Sequence, residues 1–187
     1  MNNKSTTNKV CPVEKAGALD NVFRRIIQNP NKLLKPYIKK GMNVMDLGCG
    51  PGFFTVEMAK LIEGTGKVIA ADLQEGMLIK VNYKIEKLNL KNRVILHKCD
   101  TNKIGIKQKV DFVLTFYLIH EVPDQESLFR ELKEILNTNG KILIVEPRFH
   151  VSKKNFWKMI EVADDVGFEI VGAPNVFYSR SVLLAVK

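Results

Sequence analysis

No stretch of the 187 residues approaches the 18 or more uninterrupted apolar side chains of a membrane span, which argues against a spanning helix. The first ten residues, MNNKSTTNKV, also lack the apolar core of a signal peptide, so a cytoplasmic location is expected. Cysteine is scarce. Cys11, Cys49 and Cys99 are an odd number without C-x-x-C spacing, which excludes a disulfide framework or a zinc site as the organising element. Of the three histidines, His97 sits in an apolar run and His150 stands alone in a polar stretch, so no metal is expected. What remains is 45% hydrophobic and 26% charged, enough for one core and too short for two domains.

The net charge is +9, unevenly spread: residues 1–40 hold nine basic side chains against Glu14 and Asp20. That segment is read as a basic N-terminal region, and residues 41–187 as the single globular unit. A basic region of this kind raises a nucleic-acid partner as an alternative, although charge runs more often form solvated faces. Within it, Leu19, Val22, Phe23, Ile26 and Ile27 line one side of an amphipathic helix from about residue 14 to 28, which Asn29-Pro30 should stop.

From Gly41 onward, short apolar runs alternate with stretches of helical period, the pattern of an α/β sheet. The runs are MNVMDL, KVIAAD, RVILHK, VDFVLTF and KILIVE, read as parallel strands buried on both faces. Asp124 is placed as the N-cap of a helix through Leu128, Phe129, Leu132, Ile135 and Leu136, and Asn139-Gly140 as its end. The tail, GFEIVGAPNVFY followed by SVLLAVK, leaves too few residues for a parallel crossover, so its strands must pair antiparallel. The expected fold is Rossmann-like α/β: a seven-stranded mixed sheet with an antiparallel C-terminal hairpin and helices on both faces.

The densest signal is VMDLGCGPGFFTVEMA, residues 44–59. A strand leads into Gly48, Gly50 and Gly52 and then into a helix, a turn that lets backbone approach a ligand closely. Asp72 ends the next strand 24 positions after Gly48, where its carboxylate could accept both hydroxyls of a ribose. The dinucleotide fingerprint G-x-G-x-x-G/A fails, because Phe53 fills its sixth position, which disfavours a nucleotide-dependent oxidoreductase. The phosphate loop fails too, with no Lys-Ser or Lys-Thr after Gly52. Asp46 would repel a pyrophosphate but suits a ligand carrying an ammonium or sulfonium charge.

From Gly41 to the end, these motifs resemble class I S-adenosylmethionine-dependent methyltransferases, in particular the small methylases of ubiquinone and menaquinone biosynthesis. DLGCGPG is similar to the family's first motif, VIAADL to the second, HKCDT to the loop after the third strand, VDFVLTFYLIHEVPD to the fourth, and ILNTNGKILIVEP to the fifth. The resemblance implies that Gly48, Cys49, Gly50 and Gly52 face the methionine part of the cofactor, with Asp46 near its ammonium group. It implies Asp72 on the ribose, Leu73, Met77 and Cys99 around the adenine, Asp100 and Thr101 in the loop that receives the adenine amino group, and Phe116 by the sulfonium. The product would be S-adenosylhomocysteine. The [NDS]-P-P-[YF] sequence that marks methylation of planar amino nitrogens is missing, and TFYLIHE stands in its place.

Methyl transfer from a sulfonium is an in-line displacement whose chief demand is alignment, and a base is needed only for a protonated nucleophile. His120 and Glu121 follow the fourth strand at the sheet's carboxyl edge and are the candidate catalytic pair. Tyr37, Tyr117 and His120 are the candidate acceptor-lining residues. With no insertion between strands, a helical lid within residues 1–40 and the linkers at 117–124 and 147–155 would cover the site, which favours a small-molecule acceptor over RNA or protein.

Overall fold

The structure, a computed structural model, describes residues 29–187. The expected amphipathic helix at 14–28, the lid it would form, Cys11 and most of the basic segment lie outside the described residues.

Asn29-Pro30 begins a helix here. α1 (Pro30–Leu34) takes Asn29 as N-cap, whose side chain accepts from the Lys32 amide at 3.0 Å, and Pro30 fills the first turn, where no amide partner is needed. There follow β1 (Val44–Leu47), α2 (Phe53–Leu61), β2 (Val68–Asp72), α3 (Glu75–Lys87), β3 (Val94–Lys98), β4 (Val110–Phe116), α4 (Gln125–Ile135), β5 (Leu136–Pro147), α5 (Lys153–Val166), β6 (Phe168–Gly172) and β7 (Ser179–Val186). Short 3-10 turns precede β3 (Lys91–Arg93) and follow β4 (Ile119–Glu121).

The seven strands lie in the order β3-β2-β1-β4-β5-β7-β6. The first five run parallel, and β7 inserts antiparallel between β5 and β6. The order reverses between β1 and β4, so the carboxyl ends of these two strands flank the crevice where open α/β sheets bind ligands. β1 and β2 are buried throughout, as their unbroken apolar runs require. β3 and β6 are the edges, and Ile95 and Lys98 of β3 reach solvent.

Strand residues alternate between two cores. Phe112, Leu114 and Phe116 of β4 face Phe53 and Phe54 of α2 with Leu78 and Val81 of α3. Val113 faces the other way, onto Leu128, Phe129 and Leu132 of α4 and Phe156, Met159 and Ile160 of α5. Asp124 caps α4 as expected, accepting from the Ser127 amide at 2.9 Å. The helix nevertheless ends at Ile135, before Asn139-Gly140. That pair instead makes a turn inside β5, with Asn139 at φ 67°, where the β4 register jumps from Val110↔Leu136 to Phe112↔Lys141. Gly140 suits the turn because a Cβ there would lie 2.8 Å from the Asn137 carbonyl oxygen.

Candidate functional site

Three parallel strands deliver the site to one edge. β1 ends in the glycine turn, β2 in Asp72, and β4 in Phe116-Tyr117. The amides of Gly48 and Cys49 both donate to the Ala71 carbonyl, at 2.8 and 3.1 Å, which folds the turn over the end of β2. Asp72 completes the clasp: Oδ2 accepts from the Gly50 amide at 2.8 Å and Oδ1 from the Gln74 amide at 2.9 Å. The carboxyl is only 8% exposed. Burial pushes its pKa up, and the amides of Gln74, Gly50 and Leu73 pull against that rise. Both carboxyl oxygens are thus oriented by backbone amides, Oδ2 by Gly50 and Oδ1 by Gln74.

The three glycines have different reasons for being glycine. All have positive φ: 70° at Gly48, 51° at Gly50 and 83° at Gly52. A Cβ on Gly48 would sit 2.7 Å from Leu118 Cδ1, so the segment after β4 lies directly against the turn. A Cβ on Gly52 would press Val81 at 3.1 Å. At Gly50 nothing comes within 4 Å, so backbone borders open space beside Asp72. Gly50→Ala should therefore cost the fold only about 1 kcal/mol for its left-handed backbone. It should weaken a ligand seated against that backbone at least tenfold, read by calorimetric titration beside a thermal melt.

Asp46 lies beneath this turn rather than in the open space. It is 2% exposed and accepts from Thr55 Oγ1 at 2.5 Å, joining β1 to the first turn of α2. Lys84 of α3 ties down the same turn from outside, donating to the Pro51 carbonyl at 2.6 Å.

Of the residues expected around an adenine, Leu73 is 37% exposed and Cys99, half-buried, donates its amide to the Asp72 carbonyl at 2.9 Å. Asp100 and Thr101 are exposed in a tight turn closed by paired backbone bonds between Asp100 and Lys103. Met77 is 2% exposed, a packed position on α3. Burial, followed by the charges of Asp46 and Asp72, holds the Cys49 thiol well above its ordinary pKa. The Cys99 thiol is pushed up to about 12, by burial and then by Asp72, Glu131 and Asp100. Both cysteines are thus neutral packing groups and poor nucleophiles.

Phe116 takes the core position of the aromatic pair, with its ring 4.5 Å from Phe54 and 4.4 Å from Tyr117. Tyr117, at φ 62°, turns its hydroxyl to Ser179 Oγ at 2.8 Å, and its ring meets the exposed Phe149 edge-on at 6.4 Å. Tyr37 is not brought to this edge: it stacks on Phe112, which pairs with Val44 at the opposite end of β1.

His120 has a partner that the sequence reading missed. Glu146, at the end of β5 and 0% exposed, accepts from the Ile119 amide at 2.9 Å and lies 2.5 Å from His120 Nδ1. Burial alone would lower the His120 pKa, but the hydrogen bond and charge of Glu146, with Glu121 beside it, raise it overall. Glu121 is itself raised, first by burial and further by Glu146 and Asp72, with His120 opposing. On its outer side His120 lines a cavity of about 370 Å³ with Gln125, His150, Val151, Asn155, Lys158, Met159 and Val162. An acid ending an otherwise apolar run, KILIVEP, was the one available signal for Glu146. Among the described residues no group of three or more His, Cys, Asp or Glu side chains could hold a metal, and no helix is long and apolar enough to cross a membrane.

A parallel sheet with this strand order, an antiparallel β7, a glycine turn under β1 and an acid ending β2 define the class I S-adenosylmethionine-dependent methyltransferase fold. Residues 38–172 match the family model described as methyltransferase domain, and the chain belongs to that family. A SAM-dependent methyltransferase from Aquifex aeolicus superposes with a TM-score of 0.85 at 28% identity, covering 95% of this chain and 100% of that one. A putative S-adenosyl-L-methionine-dependent methyltransferase from Methanococcus maripaludis shares the fold, with a TM-score of 0.76 at 18% identity, over 100% of this chain and 97% of its own. A demethylmenaquinone methyltransferase from Lactobacillus johnsonii is 31% identical over 110 residues, 58% of this chain and 45% of that protein. The match thus spans about half the length of such curated relatives.

Proposed function

We propose that the protein transfers a methyl group from S-adenosylmethionine to a small-molecule acceptor, releasing S-adenosylhomocysteine. The observation that carries the cofactor is the pairing of a buried, backbone-oriented Asp72 with the open face of Gly50. In this reading the Asp72 carboxylate takes the ribose hydroxyls, and the Gly48–Gly52 backbone borders the methionine part. Asp46 adds a negative charge beneath the cofactor's cationic end. Leu73, Cys99, Asp100 and Thr101 edge the adenine, with Met77 packing behind them, and Phe116 and Tyr117 border the methyl group. When bound, the cofactor supplies an already activated methyl, so these residues have only to fix its position against the acceptor.

A small acceptor is supported by the demethylmenaquinone methyltransferases among the relatives and by the modest cavity beside His120. His120, His150 and Lys158 are the titratable groups that line that cavity. The basic segment that favours a polyanionic acceptor lies largely outside the described residues.

Thermal unfolding with S-adenosylmethionine, S-adenosylhomocysteine, NAD and NADP tests the cofactor. A ligand at about 100 times its dissociation constant adds roughly 2.7 kcal/mol, a rise of roughly 5–10 °C for a domain of this size. The expected result is a rise with the two sulfur compounds alone. A rise with the dinucleotides alone would move the protein to the oxidoreductases.

A further inference from the structure

We propose that the surface formed by the segment after β5, the first turns of α5 and the segment before β7 docks on an anionic lipid membrane, with Phe149, Phe177 and Tyr178 entering the headgroup layer and the basic side chains around them meeting lipid phosphates. This goes beyond the methyl-transfer reading and does not depend on it.

The aromatic part starts from exposure. Phe149 is 76% exposed, Phe177 59% and Tyr178 65%. Large apolar side chains grouped on a protein's surface mark a docking site rather than packing. The β5–β7 pairing sets Pro147 beside Ser179, so the two segments leave the sheet next to each other. Three hydrogen bonds then stitch them together. The Arg148 amide donates to the Tyr178 carbonyl at 3.1 Å, Arg148 Nε to the Ser179 carbonyl at 2.9 Å, and Arg180 Nη1 to the Val151 carbonyl at 2.9 Å. The exposed rings are thus carried outward by bonded backbone. Phe149 also meets Tyr117 edge-on at 6.4 Å, which makes this surface continuous with the edge where β4 ends.

Charge names the partner. Residues 147–160 hold Arg148, Lys153, Lys154 and Lys158, all exposed, and no Asp or Glu; none occurs from Ile170 to Lys187 either. The acids of α5, Glu161, Asp164 and Asp165, come only later in the helix, so its end nearer the aromatic side chains is basic and its far end acidic. At the start of the neighbouring α4, Asp124 is taken up as the N-cap and Glu126 by Arg130 at 2.6 Å. Basic side chains around projecting apolar ones match a surface that is anionic outside and apolar within, which is a membrane leaflet. Single-stranded nucleic acid would satisfy the charge but needs ring faces on which successive bases stack. Here Phe177 and Tyr178 are tilted 45° to each other, and Phe149 stands at 90° to Tyr117. Rings without a common plane suit insertion better than stacking.

Trp157 supplies the test. It is the chain's one tryptophan, 43% exposed, and one helical turn on from Lys153 and Lys154 along the same side of α5. Its emission therefore reports on this surface and on no other part of the chain. The full-length protein should sediment with vesicles of phosphatidylcholine carrying phosphatidylglycerol, with Trp157 emission shifted to the blue and quenched by brominated lipid. Binding to phosphatidylcholine alone should be about tenfold weaker or less, and added salt should release the protein from the mixed vesicles. Phe149→Ser with Tyr178→Ser is expected to cut vesicle affinity about tenfold or more and to leave the melting temperature unchanged, since both side chains are exposed. If that variant does not fold, Lys153→Gln with Lys154→Gln is expected to show a similar loss, and the wild-type emission needs no variant at all. No sedimentation, or equal binding to phosphatidylcholine alone, overturns the proposal. Sedimentation with unchanged Trp157 emission overturns it too, because another part of the chain has then bound. An emission change with polyuridine and none with vesicles assigns the surface to nucleic acid, with the same consequence. None of these outcomes touches the methyl-transfer reading, which stands or falls on the melting experiment.

Discussion

Asp72→Ala is expected to weaken S-adenosylmethionine binding by about a hundredfold or more. A hydrogen bond to a charged acceptor contributes about 1.5–3 kcal/mol, and each 1.4 kcal/mol is about tenfold in affinity. The proposed diol contact supplies two such bonds, and the substitution also releases the amides of Gly50 and Gln74 that shape the turn. The pH dependence has a definite sign. The folded-state pKa of Asp72 is raised, mainly by burial, so its ionised form opposes folding of the free protein. That opposition is absent below the unfolded carboxyl pKa and accumulates as pH rises to the folded value. Cofactor affinity should run the other way, falling as pH drops through the raised pKa, above the range of an exposed carboxylate. Calorimetric titration across that window checks both effects. Unchanged affinity in Asp72→Ala would remove the ribose assignment.

Strand identity was legible because burial on both faces demands unbroken apolar runs, and five such runs stand between Met42 and Glu146. The antiparallel ending was legible from chain length alone, since GAPN cannot span a crossover. The glycine turn and Asp72 were legible because adjacent parallel strands bring their carboxyl ends together, and β1–β2 pairing places Leu47 beside Ala71. Glu146 was not, since its contact with His120 depends on β4–β5 register, which sets Phe116 beside Val145 and so the turn after β4 beside the end of β5. Apolar periodicity tells which side chains lie inside, but not which strand ends converge. The same limit misplaced Tyr37, whose aromatic character fits a pocket or a stack equally well. Asn29-Pro30 was read as the end of a helix whose residues lie outside the described ones; the structure shows the same pair opening α1, where proline's fixed φ and missing amide suit the first turn.

Asp46→Ala is expected to lower stability by about 2–3 kcal/mol, because it leaves the fully buried Thr55 hydroxyl without its carboxyl partner. For a domain of this size that is roughly a 4–12 °C fall in melting temperature. The damage should concentrate at the start of α2, where Gly52 caps the helix without any side-chain hydrogen bond and Asp46–Thr55 ties strand to helix. Asp46→Ala with Thr55→Val separates two roles. Removing both partners leaves no orphaned hydroxyl, so most of the lost stability should return. Cofactor affinity should stay reduced, because the negative charge beneath the cationic end of the ligand is still gone. Full recovery of affinity together with stability would instead make Asp46 a purely structural clamp on the glycine turn.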